Sequence, residues 1–168
     1  MTRVPKRILG INPGTRYLGY AVLYGEELMD WGIKVLAGKW KEEKIKKSIR
    51  IVADLIDRYG INVLAIKKLH PARRTENLMR LTNKIKFFVK RKGLRIFQYS
   101  IKDVEKLLIG YGKMNKYNLA VSLIGRYPML QNEIKKEVSP NDIYFSRAFE
   151  AVALGEAILD DCCIDNNK

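Results

Sequence analysis

Acidic side chains are scarce in this chain, and cysteine, histidine and long apolar runs are scarcer still. Its 168 residues hold 18 Asp and Glu against 32 Lys and Arg, a formal net charge of +14, with a pI near 9.8. The one histidine, His70, and two adjacent cysteines, Cys162 and Cys163, exclude a Cys/His zinc cluster and a disulfide joining distant segments. A reducing compartment suits such a chain. No stretch approaches the roughly eighteen consecutive apolar residues of a membrane span, and the short basic run Met1 to Arg7 is not followed by a signal-peptide core. A cytoplasmic location is therefore expected, with no membrane partner, because an amphipathic anchor helix is also missing.

What is abundant is positive charge. An excess of this size costs self-repulsion in the folded state and favours a polyanionic partner, nucleic acid above all. A lysine-rich proteome or a thermophile surface gives a similar count of cations. Thermophile surfaces, however, raise Glu together with Lys, and here only the cations are in excess. The apolar fraction of 47% is ordinary for a globular protein and argues against disorder. The length suits one domain over residues 1–160, with 161–168 as a short flexible tail.

The local pattern predicts an order of elements. Arg7 to Asn12 is a short apolar run closed by Pro13-Gly14, read as a buried strand entering a turn. Leu18 to Leu23 and Glu27 to Val35 form two more strands, joined by a hairpin turn at Gly25-Glu26. Ile45, Ile49, Val52 and Ile56 recur at helical spacing between Glu42 and Arg58, with Gly60 as the stop. A fourth strand follows at Asn62 to Ile66. Thr75 caps a helix from Glu76 to Lys92, and Arg95 to Tyr99 is a fifth strand. Helices are expected near Ile101 to Leu108, from Asn115 towards Pro128, and from Tyr144 to Leu159. Gln131 to Asn141 is expected to be a mobile loop. The order βββαβαβ followed by helices predicts an α/β fold: a mixed five-stranded sheet, its first three strands antiparallel, with helices on both faces.

Four features occur in a telling order. Strand one ends in Gly10-Ile11-Asn12-Pro13-Gly14-Thr15 and is followed by Gly19-Tyr20-Ala21-Val22. Strand four ends in Ala65-Ile66-Lys67. Val104 leads to Gly110-Tyr111-Gly112 and Lys116, and a C-terminal helix carries Phe149-Glu150-Ala151-Val152-Ala153-Leu154. Together they resemble the RuvC family of Holliday-junction resolvases, which have an RNase H-like fold, over about Arg7 to Leu159.

The resemblance implies a site of four acids holding two divalent cations that activate water at a phosphodiester. Carried over, the acids fall at Asn12, Lys67, Arg147 and Glu150, and only Glu150 keeps a carboxylate. Asn12 offers one neutral oxygen, whereas Lys67 and Arg147 have no acceptor at all. The four side chains sum to +1. Like unit charges about 4 Å apart repel by roughly 4 kcal/mol at an effective dielectric near 20, and a divalent ion doubles that. No metal is therefore expected, and a binding protein that has lost cleavage is the expected function.

Lys67 and Arg147 either hold a phosphate in the volume that metals fill in active relatives, or point to solvent. The resemblance also places a stacking aromatic just after the second acid. Along Lys67-Lys68-Leu69-His70 that place falls to His70, which is equally well an exposed loop residue. Arg73 and Arg74, in a polar turn before a helix, are candidate phosphate contacts. Lys113 and Lys116 match family basic positions, while Lys106 stands one place from another, whose own place is held by Glu105. Lys84, Lys86, Lys90, Arg91 and Lys92 read as a solvated helix face first and a nucleic-acid contact second. The implied partner is branched or duplex DNA, and the implied assembly is a homodimer. Two other functions stay open. One is a nuclease using Mg2+ or Mn2+, in which Glu150 recruits Glu76 or Asp142. The other is a structural or regulatory partner of a DNA-processing protein.

Overall fold

A run of five buried residues cannot belong to an edge strand, and Ile8 to Asn12 is such a run. In the computed structural model, which describes residues 5–109, 116–131 and 143–165 (side chains in the latter two only over 117–131 and 147–161), this strand is central. β1 (Arg7–Asn12) pairs antiparallel with β2 (Tyr17–Tyr24), from Arg7 opposite Tyr24 to Asn12 opposite Gly19. On its other side it runs parallel to β4 (Val63–Lys67), with Ile8 opposite Val63 and Ile11 opposite Ile66. β3 (Glu27–Val35) pairs with β2, and β5 (Arg95–Tyr99) runs parallel to β4. The sheet order is β3-β2-β1-β4-β5.

Side chains alternate across β1 because the strand period is two. Leu9 and Ile11 face α1 (Glu42–Tyr59) and α2 (Glu76–Arg91), packing on Val52, Leu55, Leu81 and Ile85. Ile8 faces α3 (Ile101–Ile109), α4 (Lys116–Arg126) and α5 (Ile143–Asp165), among Val104, Leu123, Val152 and Leu154. Burying each such Leu or Ile contributes roughly 1.5–3 kcal/mol. The expected five-stranded mixed sheet with helices on both faces is the observed one. Among the described residues, no helix is long and apolar enough to cross a membrane.

Local signals behave as their chemistry requires. The Thr75 hydroxyl accepts the Leu78 amide at 3.2 Å and caps α2. Gly60 takes φ 61 and ends α1. Pro128 opens a 3-10 turn, Pro128–Leu130, just after α4. The expected loops at Gly110 to Lys113 and 132–141 lie outside the described residues.

One boundary differs. The sequence pattern stops the last helix near Leu159 and frays the residues beyond 160, yet α5 continues to Asp165. The Tyr99 hydroxyl donates to Asp161 at 2.9 Å, and Arg126 reaches Asp160 at 3.4 Å. These bonds to β5 and α4 tie down turns whose polar sequence looks like a tail.

α5 lies unusually close to the sheet. A methyl group on Gly10 would collide with the Ala151 carbonyl oxygen, and one on Gly19 with that of Arg147. Backbone meets backbone at both points, so neither side has a flexible group that could yield. Gly10→Ala and Gly19→Ala should each lower stability by about 3 kcal/mol, the upper range for overpacking. Gly125→Ala, in the exposed part of α4 with open space around it, should instead raise stability by up to about 1 kcal/mol. Urea unfolding midpoints measure both. Equal effects at all three positions would contradict the close helix–sheet contact.

Candidate functional site

Parallel strands end side by side, so the C-terminal ends of β1 and β4 bring Asn12 and Lys67 together, one step beyond the Ile11–Ile66 pair. Residues three apart on a helix share a face. With α5 held down at Gly10 and Gly19, that face carries Arg147 and Glu150 onto the same strand ends. Glu150 Oε2 accepts from Asn12 Nδ2 at 2.7 Å and from Lys67 Nζ at 2.9 Å. Glu150 and Asn12 are buried, at 5% and 1% exposure, while the Lys67 side chain keeps 21%. The Asn12 Oδ1 atom is buried and, among the described residues, has no hydrogen-bond partner.

Arg147 turns the other way. Its guanidinium donates to the Pro13 carbonyl at 3.0 Å and lies over Gly14, where any side chain would collide with it. Burial pushes its pKa down from the ordinary arginine value; Glu150 opposes this, and Arg73 adds to it. An arginine so placed still carries its charge. Lys67 and Glu150 cancel, so the pocket retains the charge of Arg147, with Arg73 close enough to add its own field.

The four residues expected at one site are thus brought together. Of the two outcomes expected for Lys67 and Arg147, pointing to solvent does not occur: both fold inward onto protein acceptors. His70 is exposed, and its Nδ1 accepts the Ala72 amide at 3.1 Å, capping the 3-10 turn Pro71–Arg73. Sequence reasoning misses this capping role, although His70 followed by Pro71 at the first helical place is a usable signal. Arg73 and Arg74 are exposed at the end of that turn. Lys68 is exposed, and its charge is felt by Asp103, whose carboxyl is lowered chiefly by hydrogen bonds from Ser100. Lys113 lies outside the described residues, as do Asp142 and the Lys116 side chain.

Glu105 is buried and Lys106 exposed. Glu76 sits exposed in the first turn of α2. Among the described residues, no three Asp, Glu, His or Cys side chains converge in a manner that could hold a metal. The cations of α2 follow the solvated-face expectation: Lys84, Lys90, Arg91 and Lys92 are exposed, Lys86 bonds Gln98 at 3.3 Å, and Arg91 lies 5.8 Å from the Phe87 ring centre.

Comparison with known proteins bears on the family and the fold. The family model described as crossover junction endodeoxyribonuclease RuvC matches residues 8–153. A protein of that description from Sulfurovum sp. is 28% identical over 150 residues, covering 81% of this chain and 87% of the relative. The Thermus thermophilus RuvC structure superposes with a TM-score of 0.74 at 17% identity, covering 95% of this chain and 96% of that one. The same protein in complex with Holliday junction substrate gives 0.73 at 16% identity, with the same coverage.

The ion pair sets a stability test. Lys67→Met leaves Glu150 buried with only the Asn12 amide, and should cost about 3 kcal/mol, in the range for stranding one member of a buried pair. Adding Glu150→Gln should recover most of that loss. A double-mutant cycle in urea unfolding measures the coupling. Additive losses would mean that the two side chains do not depend on each other.

Proposed function

The chain belongs to the RuvC family, and from that premise we propose that it binds branched or duplex DNA in the cytoplasm without cutting it, using a cationic pocket where the resemblance places a metal site. One observation carries this reading: the Lys67 ammonium sits 2.9 Å from the one carboxylate left. The residues present do not fit a divalent ion. An ion bound to Glu150 Oε2 would lie against Lys67 Nζ, with the Asn12 amide nitrogen on the same oxygen and the Arg147 guanidinium beside them. A tethered ammonium supplies the charge that the carboxylate needs, but it offers no coordination position for a water to attack from.

What the pocket is suited to hold is phosphate. Arg147 has five donors and spends one on Pro13. Arg73, whose charge is felt by Arg147, is exposed, as is Arg74 next to it, and a planar guanidinium fork matches phosphate oxygens in pairs. Lys68 and His70, exposed on the same loop, belong to the same proposed surface, and Lys113 and Lys116 join it by position in the sequence. The junction bound by the Thermus thermophilus relative supports DNA as the polyanion here.

A homodimer belongs to the same proposal, since a two-fold junction suits a two-fold protein. Phe87 supports it: on α2 it leaves a large apolar side chain 61% exposed, of a kind that a subunit contact would bury.

Anisotropy titration of a four-way junction in EDTA should show metal-free binding. Lys67→Ala combined with Arg147→Ala should weaken that binding and flatten the log–log salt slope by about 0.9 for each phosphate no longer neutralised. Unchanged affinity and slope would remove the pocket from the interface. Mg2+- or Mn2+-dependent cutting abolished by Glu150→Gln would overturn the loss of cleavage. No binding at low salt would favour a structural or regulatory role.

Light scattering should give twice the 19.4 kDa chain mass for the wild type, and the single mass for Phe87→Glu. A wild-type monomer at all concentrations would end the dimer proposal.

A further inference from the structure

The turn that joins β1 to β2, Pro13 to Arg16, has two faces. Arg147 holds the Pro13 carbonyl on the α5 side. On the α1 side the Lys44 ammonium donates to the Thr15 carbonyl at 2.9 Å. Lys44 is only 7% exposed, yet this carbonyl is the sole hydrogen-bond acceptor its ammonium has among the described residues, leaving two of three protons without one. Burying an ammonium against one neutral oxygen is costly unless an anion completes it. Lys44 lies in the first turn of α1, where the helix dipole is positive and Glu42 and Glu43 are its neighbours in sequence. Among the described residues neither acid is within ion-pair distance of its ammonium, and Glu42 pairs with Arg80 instead.

An open groove of about 490 Å³ runs beside this turn, lined by Arg16, Tyr17, Leu36, Gly38 and Lys39, with no acidic residue in its wall. Leu36 N donates to Arg16 O at 2.7 Å and fixes the groove's floor to the turn. Among the described residues, none of Arg16, Lys39 and Lys44 has a carboxylate within ion-pair distance. Arg16 and Lys39 thus line the open groove without a carboxylate partner among the described residues, and Lys44, bonded to Thr15 in the adjoining turn, adds its charge from outside the lining. Together they favour negative charge in the groove.

We propose that this groove is a second phosphate seat, which holds the backbone of the same DNA on the α1 side of the turn while Arg147 holds it on the α5 side. The proposal rests on the DNA-binding reading above and extends its footprint to Arg16, Lys39 and Lys44. The carbonyls that anchor Arg147 and Lys44 belong to residues two apart in the chain, no more than about 7 Å even when extended. The two anchoring carbonyls therefore lie on one short stretch of turn, and a nucleic-acid backbone passing over it meets Arg147 on one side and Arg16 on the other.

Junction titrations over a range of salt decide it, with Arg16→Ala/Lys39→Ala, Lys44→Met and the Lys67→Ala/Arg147→Ala pair tested separately, and thermal melts showing that each variant folds. Arg16→Ala/Lys39→Ala should flatten the salt slope by about 1.8, two phosphates at 0.9 each, and weaken binding about tenfold near physiological salt. Lys44→Met should flatten it by about 0.9; if that variant fails to fold, the exposed Arg16 and Lys39 still decide.

Wild-type slope and affinity in the Arg16/Lys39 variant would overturn the second seat, and the DNA reading would stand if the wild type binds. A flattened slope there but none in the Lys67/Arg147 pair would keep the groove and discard the first pocket. A wild type that binds no junction would discard both. Melting in inorganic phosphate separates the remaining source of the same chemistry. Stabilisation abolished by Arg16→Ala/Lys39→Ala, with the junction slope untouched, would make the groove a free-anion site and overturn the proposal.

Discussion

The contact between the backbone of α5 and the two strands beneath it governs the rest of this molecule. Where Gly10 and Gly19 lack side chains, the carbonyls of Ala151 and Arg147 occupy the space a methyl would need. A side chain at either glycine would force the helix off the sheet. Arg147 and Glu150 are therefore committed to the strand ends, and Glu150 is committed to burial. A buried carboxylate without partners would be expensive. Lys67 and Asn12 arrive at its one oxygen because β1 and β4 run parallel and end together.

Lys67 is in effect a counter-ion built into the chain. It neutralises Glu150 as a bound cation would, with the difference that it cannot leave, exchange or carry a water. Arg147 is then the unmatched charge of the pocket, two residues of turn away from Lys44, the unmatched charge of the α1 side. The excess of cations over the whole chain has local form at this turn. A short peptide segment is flanked by two positive groups whose hydrogen bonds among the described residues go to neutral carbonyls, which is the ground of the proposed phosphate seats.

Much of the fold is legible in the sequence because its signals are local. β3 and β5 have the bounds their residue patterns indicate, and β1 runs from Arg7 to Asn12 as the Pro13-Gly14 stop requires. Thr75 caps α2 through a bond three residues long. Where the sequence misleads, the deciding partner is far away. Asp160 and Asp161 look like the start of a tail until Arg126 and Tyr99 are placed beside them, and Tyr99 is 62 residues distant. Lys44 gives no sign of its role, since an amphipathic helix rich in lysine does not reveal which ammonium is buried.

The candidate site divides along the same line. Which residues meet there was settled by the sequence: one amide, one carboxylate and two cations at positions that a parallel strand pair and one helical face bring together. How they pair was decided only by the tertiary structure. Lys67 reaches Glu150 across 83 residues, and Asn12 reaches it across 138. Whether a cation joins a carboxylate, a carbonyl or solvent depends on distances of a few ångströms, since both Coulomb attraction and hydrogen bonding fade beyond that reach. Composition sets the net charge of the pocket, and the depth at which α5 rests on two glycines sets which of those charges is left without a partner.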